Sequence, residues 1–148
     1  MKRLSRWVAS LFGIGYSPIA PGTLGCAVAW VVLWFLPPVT GLWVWVGLPV
    51  VFLIGVWASF GVERQLGHDA SPIIIDEAVS MWLVLALLPK SLLIWGIGFL
   101  LLRVFDIWKP FPANAAQEFR GGWGVMLDDI FAAVYTVIVM RIGLLLFG

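Results

Sequence analysis

The sequence predicts an all-α, polytopic bundle of membrane helices, and three observations carry that prediction. The 148-residue chain is 62% hydrophobic and only 11% charged, with a mean hydropathy of +1.04. Soluble domains carry about 25% charged residues, and nine basic plus eight acidic side chains cannot solvate the surface of a domain this size. The apolar residues fall in five continuous runs rather than alternating with polar ones, which argues for helices and against a membrane barrel. The length fits one domain over 1–148, with no internal repeat and no linker long enough to divide it.

The same composition excludes several classes. Disorder needs low hydrophobicity and high net charge. A net charge of +1 gives no general attraction to nucleic acid, so no nucleic-acid partner is expected. Cys26 is the single cysteine and His68 the single histidine, so neither an intrachain disulfide nor a His/Cys zinc cage can form within one chain.

Along the chain, Lys2, Arg3 and Arg6 precede a short aromatic stretch over 7–16 that Gly13 and Gly15 interrupt. No small-residue cleavage pattern follows, which favours a basic-aromatic helix in the membrane interface over a signal peptide. Its basic residues mark the inner side and touch anionic lipid. The apolar runs cover 22–36, 42–60, 73–88, 92–108 and 125–147. A helix needs about 20 residues to cross the hydrocarbon core, so the second, fourth and fifth runs suffice. The first and third, stopped by Pro37 and Pro89, are short. Pro49 should kink the second helix, and Trp43, Trp82, Trp108 and Trp123 stand at run ends, as interfacial residues do.

Five crossings with the N-terminus inside place Lys2, Arg3, Arg6, Arg64, Arg103, Lys109 and Arg120 on the inner side. Only Lys90 and Arg141 fall on the outer side. That positive-inside bias makes the N-terminus cytoplasmic. Arg141, alone in the last helix, reads as a snorkelling residue.

The acids then demand a reason. Asp76 and Glu77 lie near the start of the third run, Asp106 near the end of the fourth, and Asp128 and Asp129 near the start of the fifth. All five fall at the cytoplasmic rim, where burial and mutual repulsion must be offset by basic partners or a cation. Arg103 and Asp106, three residues apart on one helix, can form one ion pair. Two adjacent acidic pairs are a poor way to fix topology, and oxygen-only ligands suit a hard cation such as Mg²⁺.

A metal at headgroup level suggests phosphate chemistry. The odd-numbered runs begin at this rim, so their positive dipole ends and free N–H groups face it. Permissive loops precede two of these starts: Ser17 or Thr23 of the first could hydrogen-bond a phosphate oxygen, and Gly121 and Gly122 of the second let the backbone approach the substrate closely. Arg103 and Lys109 are candidate phosphate clamps, although the Lys-Pro-Phe-Pro block at 109–112 also simply ends a helix. His68 can serve as a general acid or ligand, or equally order its loop. The chain lacks an Arg-rich loop after Cys26, a second His and an Asp-x-Asp pair, which leaves metal–carboxylate catalysis.

Four blocks resemble the phosphatidylglycerophosphatase A family of small bacterial membrane phosphatases. They are G-Y-S-P-I-A-P-G-T-L-G at 15–25, H-D-A-S-P-I-I-I-D-E-A-V-S-M-W at 68–82, R-V-F-D-I-W-K-P-F-P at 103–112 and G-G-W-G-V-M-L-D-D at 121–129. They span most of the chain in the family's order. The family typically has Gly at Ser80, a small polar residue at Cys26, and a Gly where Ala133 stands, departures that concern helix packing. The resemblance implies Mg²⁺-dependent hydrolysis of the terminal phosphate of phosphatidylglycerophosphate, within phospholipid biosynthesis at the bacterial inner membrane. Asp76, Glu77, Asp106, Asp128 and Asp129 match the family's acidic positions. Some relatives are soluble all-α proteins, so five complete crossings are not demanded. The rival readings are a phosphatase or phosphotransferase for another lipid phosphate, a divalent-cation transporter, or a structural membrane subunit. A transporter should carry acids along a path across the membrane, and the outer half has none.

Overall fold

The computed structural model describes residues 2–37 and 41–148. Among them the chain is all helical, with no strand. Seven α-helices follow in order: α1 (Lys2–Ala9), α2 (Pro21–Phe35), α3 (Leu42–Leu66), α4 (Ile75–Leu87), α5 (Leu92–Trp108), α6 (Ala113–Ala116) and α7 (Trp123–Phe147). The five apolar runs correspond to α2, α3, α4, α5 and α7. The count rises to seven because the basic N-terminus and the segment before α7 also form short helices. By length and composition, α3 and α7 are the helices able to cross a membrane among the described residues. At 15 and 13 residues, α2 and α4 are too short to do so alone, and α5, expected from its run to cross, has 17 residues and is not among the two.

Short α4 is the hub, packed against α2, α3, α5 and α7. Its Val79, Met81, Val84 and Leu85 are buried, and Met81, Val84 and Leu85 join Leu33, Trp95, Leu102 and Ala132 in the larger core. A second core, around Val56, Val62, Val79 and Met126, lies under α1. Outside these cores the apolar side chains face outward: Phe35, Leu42, Leu145 and Phe147 are each about four-fifths exposed or more. An outer surface of this kind is the expected face toward lipid.

Two local expectations change. The helix begun at Leu42 runs past the apolar stretch to Leu66, through Glu63 and Arg64, before Gly67 turns it with φ +99. Pro49 lies inside that helix without ending it. The N-terminal helix covers only Lys2–Ala9; Leu11, Phe12 and Gly13 then adopt left-handed backbone, and a 3-10 turn follows at Ile14–Tyr16. Arg141 donates to the Leu87 carbonyl at the end of α4. Lys90 likewise donates to the Trp34 carbonyl at 2.7 Å, near the end of α2. Both basic residues assigned to the outer side thus cap helix C-termini, where their charge opposes the dipole.

Candidate active site

The starts of α2, α4 and α7 meet the end of α5. Asp76 and Glu77 occupy the first turn of α4, Asp106 the last turn of α5, and Asp128 and Asp129 the second turn of α7. The four aspartates are buried, with exposures of 6% for Asp76, 9% for Asp106 and 3% each for Asp128 and Asp129. Asp76, Glu77 and Asp129 each bring a carboxylate oxygen within 4.8 Å of the others. At an effective dielectric near 20, two full charges at that separation repel by about 3 kcal/mol.

Basic partners account for only part of the cluster. Asp106 pairs with Arg103 one turn earlier on α5, the ion pair the spacing predicts. Asp128 Oδ2 lies 2.6 Å from Lys109 Nζ. Asp76 Oδ1, Glu77 Oε2, Asp128 Oδ1 and Asp129 Oδ2 are buried without a hydrogen-bond partner among the described residues. Buried unpaired carboxylate oxygens are costly. Three of them lie on the converging acids Asp76, Glu77 and Asp129 and form a donor set that fits a hard divalent cation.

Glycine brings α2 against this cluster. A Cβ on Gly22 would stand 2.2 Å from Glu77 Oε1 and 3.3 Å from Arg103 Nη2, and one on Gly25 would stand 2.8 Å from the Ile74 carbonyl oxygen. Cys26 and Ser80 meet at one atom here. The Cys26 thiol contacts the Glu77 carbonyl at 3.5 Å, and the Ser80 hydroxyl donates to the same oxygen at 2.9 Å. Ala133 is fully buried. All three therefore belong to helix packing around Glu77 and α7.

The proposed phosphate contacts divide. Half-buried Arg103 keeps its Nε without a partner among the described residues. Lys109 closes α5 in a left-handed conformation and also reaches Gln117 Oε1 at 3.4 Å. Burial opposes its charge, but the bond to Asp128 and that carboxylate's field hold its pKa above the ordinary lysine value. Ser17 is turned back on its own loop, accepting the Ile19 N–H at 3.3 Å and donating to the Ile19 carbonyl at 3.2 Å. Thr23, in the first turn of α2, is half-buried. Gly121 and Gly122 have φ of +78 and +81, and a Cβ on Gly122 would meet the Val56 carbonyl at 2.3 Å. The Gly122 N–H is already given to Glu63 Oε2 at 2.8 Å.

His68 stands apart from the grouped carboxylates. Its Nδ1 lies 2.6 Å from Glu63 Oε1 and its Nε2 lies 2.7 Å from the Gln117 carbonyl oxygen. Both neighbours are acceptors, so the ring satisfies them together only as an imidazolium. Partial desolvation opposes that charge, but the Gln117 carbonyl and Glu63 outweigh it and raise the pKa. Glu63 and Gln117 are the residues that sequence reasoning missed. Neither stands in a short motif, and Glu63 lies beyond the apolar run that defined its helix.

Comparison with known proteins places these residues in context. The model of the family described as phosphatidylglycerophosphatase A matches residues 7–144. A Bacteroides thetaiotaomicron protein, provisionally named phosphatidylinositol-3-phosphatase, is 40% identical over 140 residues, covering 89% of this chain and 88% of its own. Phosphatidylglycerophosphatase A of Escherichia coli K12 is 38% identical over 133 residues, covering 84% and 74% respectively. The Haemophilus influenzae enzyme of the same name is 35% identical over 133 residues, covering 87% and 82%. No solved structure matches the chain.

Proposed function

This chain belongs to the phosphatidylglycerophosphatase A family, and from that premise we propose that it is a Mg²⁺-dependent lipid phosphatase. It removes the terminal phosphomonoester of phosphatidylglycerophosphate, yielding phosphatidylglycerol and inorganic phosphate for phospholipid biosynthesis. The observation that carries the metal chemistry is the convergence of Asp76, Glu77 and Asp129 with unpartnered buried oxygens. These three would hold the ion, with Asp128 and Asp106 beside them. A bound Mg²⁺ supplies Lewis acidity toward phosphoryl oxygen and makes a water nucleophilic near neutral pH.

The chain's own groups do the rest. Arg103, with a partnerless buried Nε, and Lys109 face the charge that spreads over the phosphoryl oxygens during transfer. Their pairs with Asp106 and Asp128 hold both cations at the rim. Gly22 lets the first turn of α2 approach Glu77, so the positive end of that helix also faces the incoming phosphate. His68, through Glu63 and Gln117, orders the segment between α5 and α7. The apolar faces of α3 and α7 lie in the bilayer, so the acyl chains stay in lipid while the headgroup enters from the cytoplasmic side of the inner membrane.

The 40%-identical relative favours a second reading, in which the phosphate is carried on an inositol headgroup. Both readings use the same carboxylates and differ only beyond the phosphate. Purified protein in detergent micelles is given phosphatidylglycerophosphate or phosphatidylinositol 3-phosphate, with Mg²⁺ or with chelator, beside Asp129→Asn. Metal-dependent release from the first lipid, lost in the variant, supports the proposal. Preference for the second lipid selects the inositol reading, and release from neither by folded, metal-loaded protein overturns both.

A further inference from the structure

A cavity flanked by two arginines lies apart from the carboxylates, at the N-terminus. It measures about 350 Å³ and is lined by Arg3, Arg6, Trp7, Ser10, Gly13 and Tyr16. Three features make it a built site rather than a loose basic tail. First, α1 is fixed on α3: Ser5 and Ala9 are buried, and a Cβ on Gly61 would stand 2.6 Å from Ser5 Cβ. Second, no acid lines the cavity, and neither Arg3 nor Arg6 forms an ion pair among the described residues. Arg6 Nε is buried with no hydrogen-bond partner among the described residues. Third, the turn that brings Ser10 and Gly13 to the cavity is held by backbone that most residues avoid. Leu11 and Phe12 sit at φ +47 and +60, and Ser10 Oγ accepts the Gly13 N–H at 3.0 Å. Such non-glycine conformations tend to persist where a ligand is clamped.

We propose that this cavity binds the phosphate of an anionic phospholipid, as a non-catalytic site that holds the protein against anionic membrane. Arg3 and Arg6, three residues apart on one helix, present two forked donors to the same space. Guanidinium forks match phosphate oxygens in pairs. The Ser10 hydroxyl retains its own proton as a further donor. The aromatic side chains supply the lipid side of the argument, because Trp7 and Tyr16, which line the cavity, and Phe12, which packs edge-on against Trp7, are each more than half exposed. Aromatic rings of this kind settle at headgroup depth. A free phosphate would gain nothing from them. The inference rests on the membrane placement given above, but not on turnover.

The test is calorimetric binding of dihexanoyl-phosphatidylglycerol, below its micellar concentration, to full-length protein in neutral detergent. Dihexanoyl-phosphatidylcholine and inorganic phosphate are the comparison ligands. We expect one anionic lipid bound by the wild type and equally by Asp129→Asn, which removes a carboxylate of the other site. Affinity falls at least about tenfold in Arg3→Gln/Arg6→Gln and less in Arg3→Lys/Arg6→Lys, which keeps the charge but loses the fork. Unchanged elution and helicity of both double variants establish that they fold. Equal binding by the glutamine variant, or of phosphatidylcholine, overturns the site. Inorganic phosphate binding as tightly as the lipid overturns the lipid assignment. Because no catalysis is measured, a failed phosphatase assay leaves this result readable.

Discussion

Glu63 Oε2 accepts the N–H of Gly122 at 2.8 Å, tying the last turn of α3 to the first residue before α7. The other oxygen of the same carboxylate holds His68 at 2.6 Å. One acid thus fastens the start of the helix that carries Asp128 and Asp129. Replacing it with alanine removes a charge-assisted bond to a helix N-terminus, worth about 2 kcal/mol. Glu63→Ala should lower the thermal unfolding midpoint in detergent, whereas Glu63→Gln, still able to accept the Gly122 N–H, should lose less. Equal losses would show that the bond to Gly122 contributes nothing.

The acid triad gives a test with two opposite signs. Neutralising one of three crowded carboxylates relieves repulsion when no cation is present. Asp76→Asn, Glu77→Gln or Asp129→Asn should each raise thermal stability in chelator and abolish the stabilisation that added Mg²⁺ gives the wild type. Activity should drop at least about 100-fold, beyond what losing a supporting group around a metal costs. A variant destabilised in chelator would argue that the acid is a structural hydrogen-bonding group.

Two glycines of α2 should fail differently. The Cβ of Gly22→Ala meets the tip of the Glu77 side chain, which can swing away, so Mg²⁺ affinity should fall about tenfold with little loss of stability. The Cβ of Gly25→Ala meets the Ile74 backbone, which cannot, and should cost about 1–3 kcal/mol of stability. Metal titrations and melting curves of the two variants, side by side, separate the effects.

Lys109 and Asp128 form a largely buried pair. Removing the cation alone leaves a buried carboxylate uncompensated, a loss of about 3 kcal/mol. Lys109→Ala should therefore be strongly destabilised, and adding Asp128→Asn should restore part of the loss. A double variant no more stable than Lys109→Ala would sink the pairing account.

The raised pKa of His68 sets a pH signature. The folded state holds this proton more tightly than the unfolded chain does, so the stabilisation is complete below the ordinary value of 6.5. It fades as pH rises through the raised folded value. The stability gap between wild type and His68→Gln should be widest in mild acid and shrink above neutrality. A constant gap across that window would mean that the ring acts by shape and not by charge.

Much of this was legible in one dimension. Continuous apolar runs are a strong signal for helices, because a backbone without water must satisfy its own hydrogen bonds. The ends of those runs came within a few residues of α2, α4, α5 and α7. The Arg103–Asp106 pair followed from helical spacing alone. Glu63 was invisible, because the helix holding it continues past its apolar stretch on packing with α1 and α7 rather than on composition. The loops of Ser17 and Gly122 suggest phosphate contacts, and only the fold shows their hydrogen bonds turned to Ile19 and Glu63.

The sequence by itself determined that the chain is helical, apolar on its outside, and supplied with more inward acids than nearby cations. Those properties depend on composition and on the fixed periodicity of the helix. Tertiary structure decided which acids are paired and which converge, since Lys109 and Asp128, or Asp76 and Asp129, meet only when separate helices pack around α4. Charges distant along the chain interact according to separation in space, and packing alone sets that separation.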